Sequence, residues 1–164
     1  MNDSDGVQIE AALGPTEDVR ALIGELEAVL AAAYTPEQRH GLALDAIFQP
    51  NVRFFLARLG GAAVGCGGVA LFSVFAEVKR MYVREAARGR GVAQAILARI
   101  EVEARGAGLS LLRLETGERQ VAAIRLYTRA GFRSCPAFGA YALMAPQSVA
   151  SSVFFEKRIA LPVG

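Results

Sequence analysis

Residues 88–93, with the sequence Arg-Gly-Arg-Gly-Val-Ala, have the composition of an anion-binding turn. A glycine-rich turn at the start of a helix presents unpaired backbone N–H groups and the positive end of the helix dipole to an anion. Glycine lets the backbone approach a phosphate closely, and arginine supplies charge-assisted hydrogen bonds to its oxygens. The spacing predicts a pyrophosphate-binding turn, and it differs from both the P-loop and the GxGxxG pattern.

The elements on either side of this turn are predicted to hold it in place. A strand over 76–83 precedes the turn, and a helix over 91–105 follows it. A second strand over 109–115 and a second helix over 120–130 come next, and glycines end both helices. The apolar residues of the first helix fall on one face, at Ala93, Ile96, Leu97, Ile100 and Ala104.

The rest of the chain is predicted to complete a mixed α/β domain. Gly60-Gly61 between two apolar segments indicates a hairpin of strands over 51–59 and 62–75, in which internal glycines suggest a bulge or a close backbone approach. The order predicts one domain over residues 1–164, with a mixed, twisted sheet of about seven strands flanked by four helices. The other expected elements are strands over 7–13, from 133 and over 152–159, helices over 15–33 and 36–48, and a loop over 136–150.

Composition limits the class of protein to which the chain can belong. Of its 164 residues, 53% are apolar, which is enough for a core and excludes global disorder. The formal charge of +2 gives no whole-chain footprint for nucleic acid, and two separated cysteines with one histidine argue against a metal cluster. Residues 59–76 carry no charge, but their glycines favour a hairpin over a membrane helix. Residues 1–5 are polar and acidic, unlike a secretory signal, so we expect a cytoplasmic protein.

Two motifs, in this order, resemble the GNAT superfamily of N-acetyltransferases. Arg88, Gly91 and Ala93 occupy the three fixed positions of that family's acetyl-CoA motif, Q/R-x-x-G-x-G/A. Residues 123–132 (Ala-Ile-Arg-Leu-Tyr-Thr-Arg-Ala-Gly-Phe) are similar to the A-I-x-L-Y-x-x-x-G-F signature of its last helix. The resemblance covers about residues 76–141 and implies the GNAT fold.

The resemblance also implies an activity, the transfer of acetyl from acetyl-CoA directly to a primary amine in a ternary complex. Pyrophosphate then binds at the 88–93 turn, pantetheine lies along the strand that ends at Val83, and a backbone N–H near Met81 stabilises the oxyanion. Gln120 stands where the family often has asparagine. The residues that this resemblance assigns to the cofactor are Met81, Tyr82, Val83, Arg88, Gly89, Arg90, Gly91, Val92, Ala93 and Gln120.

Two residues are expected to carry the proton transfers. Tyr127 corresponds to the family's tyrosine acid, and its phenol can protonate a departing thiolate at neutral pH. Glu77 resembles the glutamate base of some members, although other members use a water chain. Strand alternation predicts that Glu77, Lys79, Met81 and Val83 share one face. Each of the two has a simpler interpretation, Tyr127 as a packed aromatic and Glu77 as a charge paired with an arginine.

The acceptor is less well defined by the sequence. We expect a small-molecule amine, with a protein or peptide N-acetyltransferase and a non-catalytic CoA-binding module as alternatives. His40 is predicted to be a surface or capping residue, and the apolar strand over 152–159, taken as a sheet edge, predicts a homodimer. No metal, nucleic acid or membrane partner is expected. The polar candidates for the acceptor pocket are Arg113, Glu115, Gln120 and Tyr141.

Overall fold

Seven strands and four α-helices make up a mixed α/β fold, as predicted, in a computed structural model that describes residues 6–161. The strands are β1 (Gln8–Ala11), β2 (Val52–Leu59), β3 (Ala62–Leu71), β4 (Ala76–Val83), β5 (Leu111–Gly117), β6 (Arg133–Ser134) and β7 (Ser152–Arg158). The helices are α1 (Glu17–Ala33), α2 (Val92–Gly106), α3 (Val121–Arg129) and α4 (Pro146–Val149). All seven strands belong to one sheet with the order β1-β2-β3-β4-β5-β7-β6. The predicted fold class is therefore confirmed.

The sheet opens between its two central strands. β4 and β5 are parallel, and they pair only through Ala76 with Leu112 and through Glu77 with Arg113. The other pairs of neighbouring strands are antiparallel, and β5 pairs with β7 along its whole length. The remainder of β4 therefore has no partner on the β5 side, and a wedge opens between the two strands.

Helices α1 and α2 pack on opposite faces of the sheet. The predicted apolar face of α2 is buried against β2, β3 and β4, while α1 buries a second cluster against β2 and β3. The internal glycines of β3 allow α2 to come close, because a Cβ at Gly65 would lie 3.0 Å from Val92 and one at Gly67 2.7 Å from Ile96. The predicted close approach at these glycines is confirmed, and it fixes α2 over the centre of the sheet.

The predicted helix over 36–48 is wrong. The structure has two short 3-10 turns there, Pro36–Gln38 and Ala46–Phe48, with irregular backbone between them. The chain passes directly over the side chain of Arg80, and a Cβ at Gly41 would overlap its guanidinium. Packing against this buried side chain therefore overrides the local helix-start signals.

Two further expectations need correction. β7 lies between β5 and β6 in the sheet, and the two-residue β6 pairs with Phe155 and Glu156, so β7 is not the free edge that was expected. The homodimer stays a prediction. The predicted loop over 136–150 contains a 3-10 turn, Gly139–Leu143, and the helix α4.

Residues 1–5, on which the prediction about a secretory signal rests, lie outside the described residues. Within residues 6–161, no helix has both the length and the apolar character needed to cross a membrane.

Candidate active site

The β4 strand is irregular at Arg80, which has a φ of 56°. Its pairing with β3 shifts at this point, so that Arg80 and Met81 together oppose Gly67. A left-handed φ is strained for a residue with a side chain, and two residues opposite one define a β-bulge. The bulge lies where β4 has lost its β5 partner, beside the wedge.

The bulge changes which side chains of β4 share a face. Glu77 and Lys79 both contact Tyr141, whereas Met81 and Val83 pack against the cluster under α2. The predicted common face therefore holds for Glu77 and Lys79 and is wrong for Met81 and Val83. An extra residue in a strand reverses the alternation beyond it, which period-two reasoning does not include.

The turn before α2 is open to a ligand. Gly89 and Gly91 have φ values of 77° and 79°, and a Cβ at either would meet no atom within 4 Å. Gly91 is the N-cap of this 15-residue helix and provides no side-chain cap, so the first backbone N–H groups remain available. Arg88 is exposed beside the turn, where its Nε donates to the carbonyl of Val83 at 3.3 Å. Backbone donors, the helix dipole and a nearby guanidinium are therefore the groups that could bind an anion at this turn.

A cavity of about 530 Å³, named the larger cavity here, lies between this turn, the unpaired side of β4 and the start of α3. Its shape suits an extended chain with a phosphate group at one end, since a free strand edge forms one wall and a helix N-terminus closes that end. Of the ten residues predicted to bind the cofactor, Arg90 is exposed and does not line it. The other nine do: Met81, Tyr82, Val83, Arg88, Gly89, Gly91, Val92, Ala93 and Gln120.

A second cavity of about 120 Å³, named the smaller cavity, lies on the other side of the wedge. Distant parts of the chain supply its walls: α1, the segment 34–41, β4, the end of β5 and the 3-10 turn Gly139–Leu143. Arg113 does not line it, because its guanidinium stacks 5.1 Å from the ring centroid of Phe75. The polar residues that line it include Tyr34, Gln38, Arg39, His40, Glu77, Lys79, Arg80, Glu115, Thr116, Gln120, Tyr127 and Tyr141.

The two cavities meet in the wedge. Five residues line both of them: Leu26, Met81, Gln120, Ala123 and Tyr127. Gln120 is the N-cap of α3, and Tyr127 lies two turns further along the same helix. A chain bound in the larger cavity and a molecule in the smaller one would therefore come together beside Met81 and Tyr127.

Tyr127 is almost completely buried at this junction. Its ring packs edge-on against Phe132 with centroids 5.6 Å apart, and no described residue hydrogen-bonds to its hydroxyl. Burial, with a contribution from the Glu115 carboxylate, raises the pKa of Tyr127 above its usual value. The phenol therefore stays protonated at neutral pH and has its O–H free to donate.

Glu77 belongs to a buried cluster of three polar side chains. The Tyr141 hydroxyl donates to Oε2 of Glu77 at 2.6 Å, and Nζ of Lys79 donates to the Tyr141 oxygen at 2.8 Å. Lys79 also forms an ion pair with the same carboxylate oxygen, at 2.6 Å. Glu77 is only 4% exposed, so these contacts fix its position at the wall of the smaller cavity.

Sequence reasoning missed several residues of the smaller cavity. Lys79 could have been found from the sequence, since it lies two residues after Glu77 in a strand. Its partner Tyr141, however, is 62 residues away. His40 is no free surface residue: its Nε2 donates to the carbonyl of Ser148 at 2.7 Å, and its ring packs edge-on against Tyr141. No local sequence pattern predicts such contacts. Among the described residues, no group of three or more His, Cys, Asp or Glu could hold a metal ion.

Comparisons with known proteins identify the family of the chain. The family model of the acetyltransferase (GNAT) family matches residues 22–132, which include the turn, the bulge and the whole of α3. An IAA acetyltransferase of Azospirillum brasilense is 43% identical over 148 residues, which cover 88% of this chain and 94% of that protein.

Solved structures have the same fold. A protein from Klebsiella pneumoniae, whose crystal structure is named as an acyl-CoA N-acyltransferase, superposes with a TM-score of 0.75 at 34% identity, over 94% of this chain and 98% of its own. The PaiA N-acetyltransferase of Thermoplasma acidophilum, solved in complex with coenzyme A, gives a TM-score of 0.66 at 16% identity, over 93% and 99%. The family match covers more than half of the chain, and the Azospirillum relative covers most of it. The chain is therefore an N-acetyltransferase enzyme of the GNAT family.

Proposed function

We propose that the protein transfers the acetyl group of acetyl-CoA to the primary amine of a small molecule, by direct attack within a ternary complex. The junction of the two cavities at Met81, Gln120 and Tyr127 carries the proposal. The larger cavity, with its anion site at the start of α2, fits the diphosphate and pantetheine of CoA. A relative of the same fold binds coenzyme A, which supports this assignment.

The chemistry then follows from the groups at the junction. The amine nitrogen attacks the thioester carbonyl carbon, and the resulting oxyanion is stabilised by backbone N–H groups of β4 near Met81. The C–S bond breaks, and Tyr127 gives its proton to the departing thiolate. The proton released from the amine nitrogen passes to Glu77, whose carboxylate lines the smaller cavity. This transfer completes the proton balance.

The size of the smaller cavity favours a small acceptor over a peptide. It holds about 120 Å³, and the segment 34–41 and Tyr141 form part of its wall. A peptide acceptor needs an open groove, which these elements would obstruct. The relative from Azospirillum is named for IAA as its acceptor, which also supports a small molecule. The predicted cytoplasmic location is part of this proposal.

The test is an assay of thiol release from acetyl-CoA with a panel of small amines and a panel of peptides with free lysines or N-termini. We expect amine-dependent release with small amines, together with the N-acetylated product by mass spectrometry. Release with peptides alone would favour a protein N-acetyltransferase. Tight CoA binding without turnover on either panel would favour a non-catalytic CoA-binding module.

A further inference from the structure

The smaller cavity contains two carboxylates that differ in their partners. Glu77 is neutralised by the ion pair with Lys79 and accepts a hydrogen bond from Tyr141. Glu115, near the end of β5, accepts one hydrogen bond from the hydroxyl of Ser152 at 2.6 Å. No described cation lies within ion-pair distance of Glu115. It is therefore the carboxylate of this cavity that lacks a cationic partner.

The position of Glu115 follows from the alternation of β5. Leu112 and Leu114 are buried in the core under α2, so Arg113 and Glu115 point to the opposite face. Arg113 lies beyond the cavity, whereas Glu115 lies where β4 and β5 have separated. The carboxylate therefore faces the wedge, within electrostatic reach of Tyr127.

The surroundings make an unpaired charge at Glu115 costly. Burial raises the pKa of its carboxyl, and the Glu77 carboxylate adds to this effect, while the Ser152 hydroxyl, His40 and Lys79 oppose it. Tyr127 of α3 and Tyr141 of the 3-10 turn Gly139–Leu143 also interact electrostatically with this carboxylate. A half-buried carboxylate without a counter-ion is stabilised by a cation that reaches it.

The lysine and arginines that line the cavity already have carboxylate partners. Arg39 and Arg80 both contact the carboxylate of Glu27, and Lys79 pairs with Glu77. A positively charged amine that enters the cavity therefore finds an unpaired carboxylate at Glu115.

We propose that Glu115 recognises the acceptor, by binding its amine in the ammonium form, and that the substrates are consequently alkyl amines protonated at neutral pH. This inference rests on the proposed function. It assigns to Glu115 the binding of the ammonium, which must lose one proton to water before its nitrogen can attack. The second proton, released from the nitrogen after attack, passes to Glu77 as in the proposed function. Ser152 then orients the Glu115 carboxylate through its hydroxyl.

The test compares acetylation of benzylamine, which is protonated at neutral pH, with that of aniline, which is not, by wild type and Glu115→Gln. The amide retains an acceptor for Ser152, so the fold contact survives and only the charge is lost. We expect kcat/KM for benzylamine to fall about 10- to 100-fold, mainly through KM, because a charge-assisted hydrogen bond is lost. We expect kcat/KM for aniline to change less than about threefold, since a neutral amine makes no charge-assisted contact there.

Two variants serve as matched controls. Glu118→Gln removes the same charge from an exposed residue that lines neither cavity, and it should leave both amines unaffected. Glu115→Asp keeps the charge and should restore part of the loss. An equal effect of Glu115→Gln on both amines, or no effect on benzylamine, overturns the inference, as does a wild-type enzyme that prefers aniline. Failure of wild type to acetylate any amine counts against the proposed function itself.

Discussion

The two cavities on either side of the wedge are built in different ways. The larger cavity depends on backbone: the free N–H groups at the start of α2, the unpaired side of β4, and glycines at φ values near 80°. Most of its residues come from two short segments, 81–94 and 119–127. Such a site needs little from side chains, because its donors are present in every residue of a helix start or a strand edge.

The smaller cavity depends on side chains from separate parts of the chain. The pair of Lys79 and Tyr141 spans 62 residues, and the contact of His40 with Ser148 spans 108. Two of its arginines, Arg39 and Arg80, share the carboxylate of Glu27, while Lys79 pairs with Glu77 and leaves Glu115 without a cation partner among the described residues. Under the proposed function, the larger cavity binds the common cosubstrate and the smaller cavity defines the individual acceptor.

The largest expected effect is the loss of cosubstrate binding in Gly91→Glu. A carboxylate at this position would occupy the anion site, and any side chain there adopts a strained φ of 79°. For wild type, acetyl-CoA at 100 times its Kd should raise Tm by about 5 to 10 °C. We expect no rise in Gly91→Glu, measured by thermal unfolding with and without acetyl-CoA.

Gly91→Ala is the matched control for that variant. It has the same backbone strain without the charge, and its Cβ enters open space. It should keep part of the rise in Tm with acetyl-CoA. An equal rise in wild type and Gly91→Glu would mean that phosphate binds elsewhere.

The next largest effect should come from Tyr127→Phe, at the point where the cavities meet. The ring and its packing on Phe132 are retained, so the rise in Tm with acetyl-CoA should not change. Loss of the hydroxyl should lower kcat by about 10²-fold or more, and kcat/KM by the same factor, since the hydroxyl acts only as the thiolate forms. Normal turnover, with chemistry shown to be rate-limiting, would make Tyr127 a packed aromatic only.

Glu77→Gln tests the proton acceptor inside the smaller cavity. The amide still accepts from Tyr141 but cannot take a proton or pair with Lys79, so we expect kcat to fall by about 10²-fold. Acetyl-CoA binding should be unchanged, because Glu77 does not line the larger cavity. A loss confined to the KM of the amine would assign Glu77 to binding and leave proton removal to a water chain.

The smallest effects are expected from separate substitutions of the two arginines at the turn, Arg88 and Arg90. Arg88 lines the larger cavity and Arg90 does not. Arg88→Ala should raise the KM for acetyl-CoA about tenfold through loss of a charge-assisted contact, whereas Arg90→Ala should change it less than about twofold. Equal effects of the two substitutions in steady-state kinetics would show that net charge, and not geometry, attracts the cosubstrate.

This contrast also explains how much of the molecule could be predicted from its sequence. The fold class, α2 and the turn before it depend on contiguous residues, such as Gly91 at the helix start and the apolar face that ends at Ala104. The prediction of a helix over 36–48 was wrong because Gly41 passes over the side chain of Arg80, a contact that no local sequence pattern predicts. The predicted face of Met81 was wrong because a bulge in β4 reverses the alternation of side chains along the strand.

The polar cluster of the smaller cavity lay beyond sequence reasoning for the same reason. Glu77 and Tyr141 were both singled out as candidates, but their hydrogen bond joins β4 to a 3-10 turn after β6. Lys79 and His40 acquire their positions only through those contacts. Long-range packing determines such sites, whereas the periodicity of apolar residues and the local composition determine helices and strands.

The central claim is that acetyl-CoA and an amine meet, both bound, at the junction of the two cavities. Initial rates of thiol release, measured while acetyl-CoA and the best amine are varied together, test it most directly. Direct transfer in a ternary complex predicts intersecting lines in a double-reciprocal plot and an N-acetylated product equal in amount to the thiol released. Parallel lines, or thiol release that does not depend on the amine, would contradict the account.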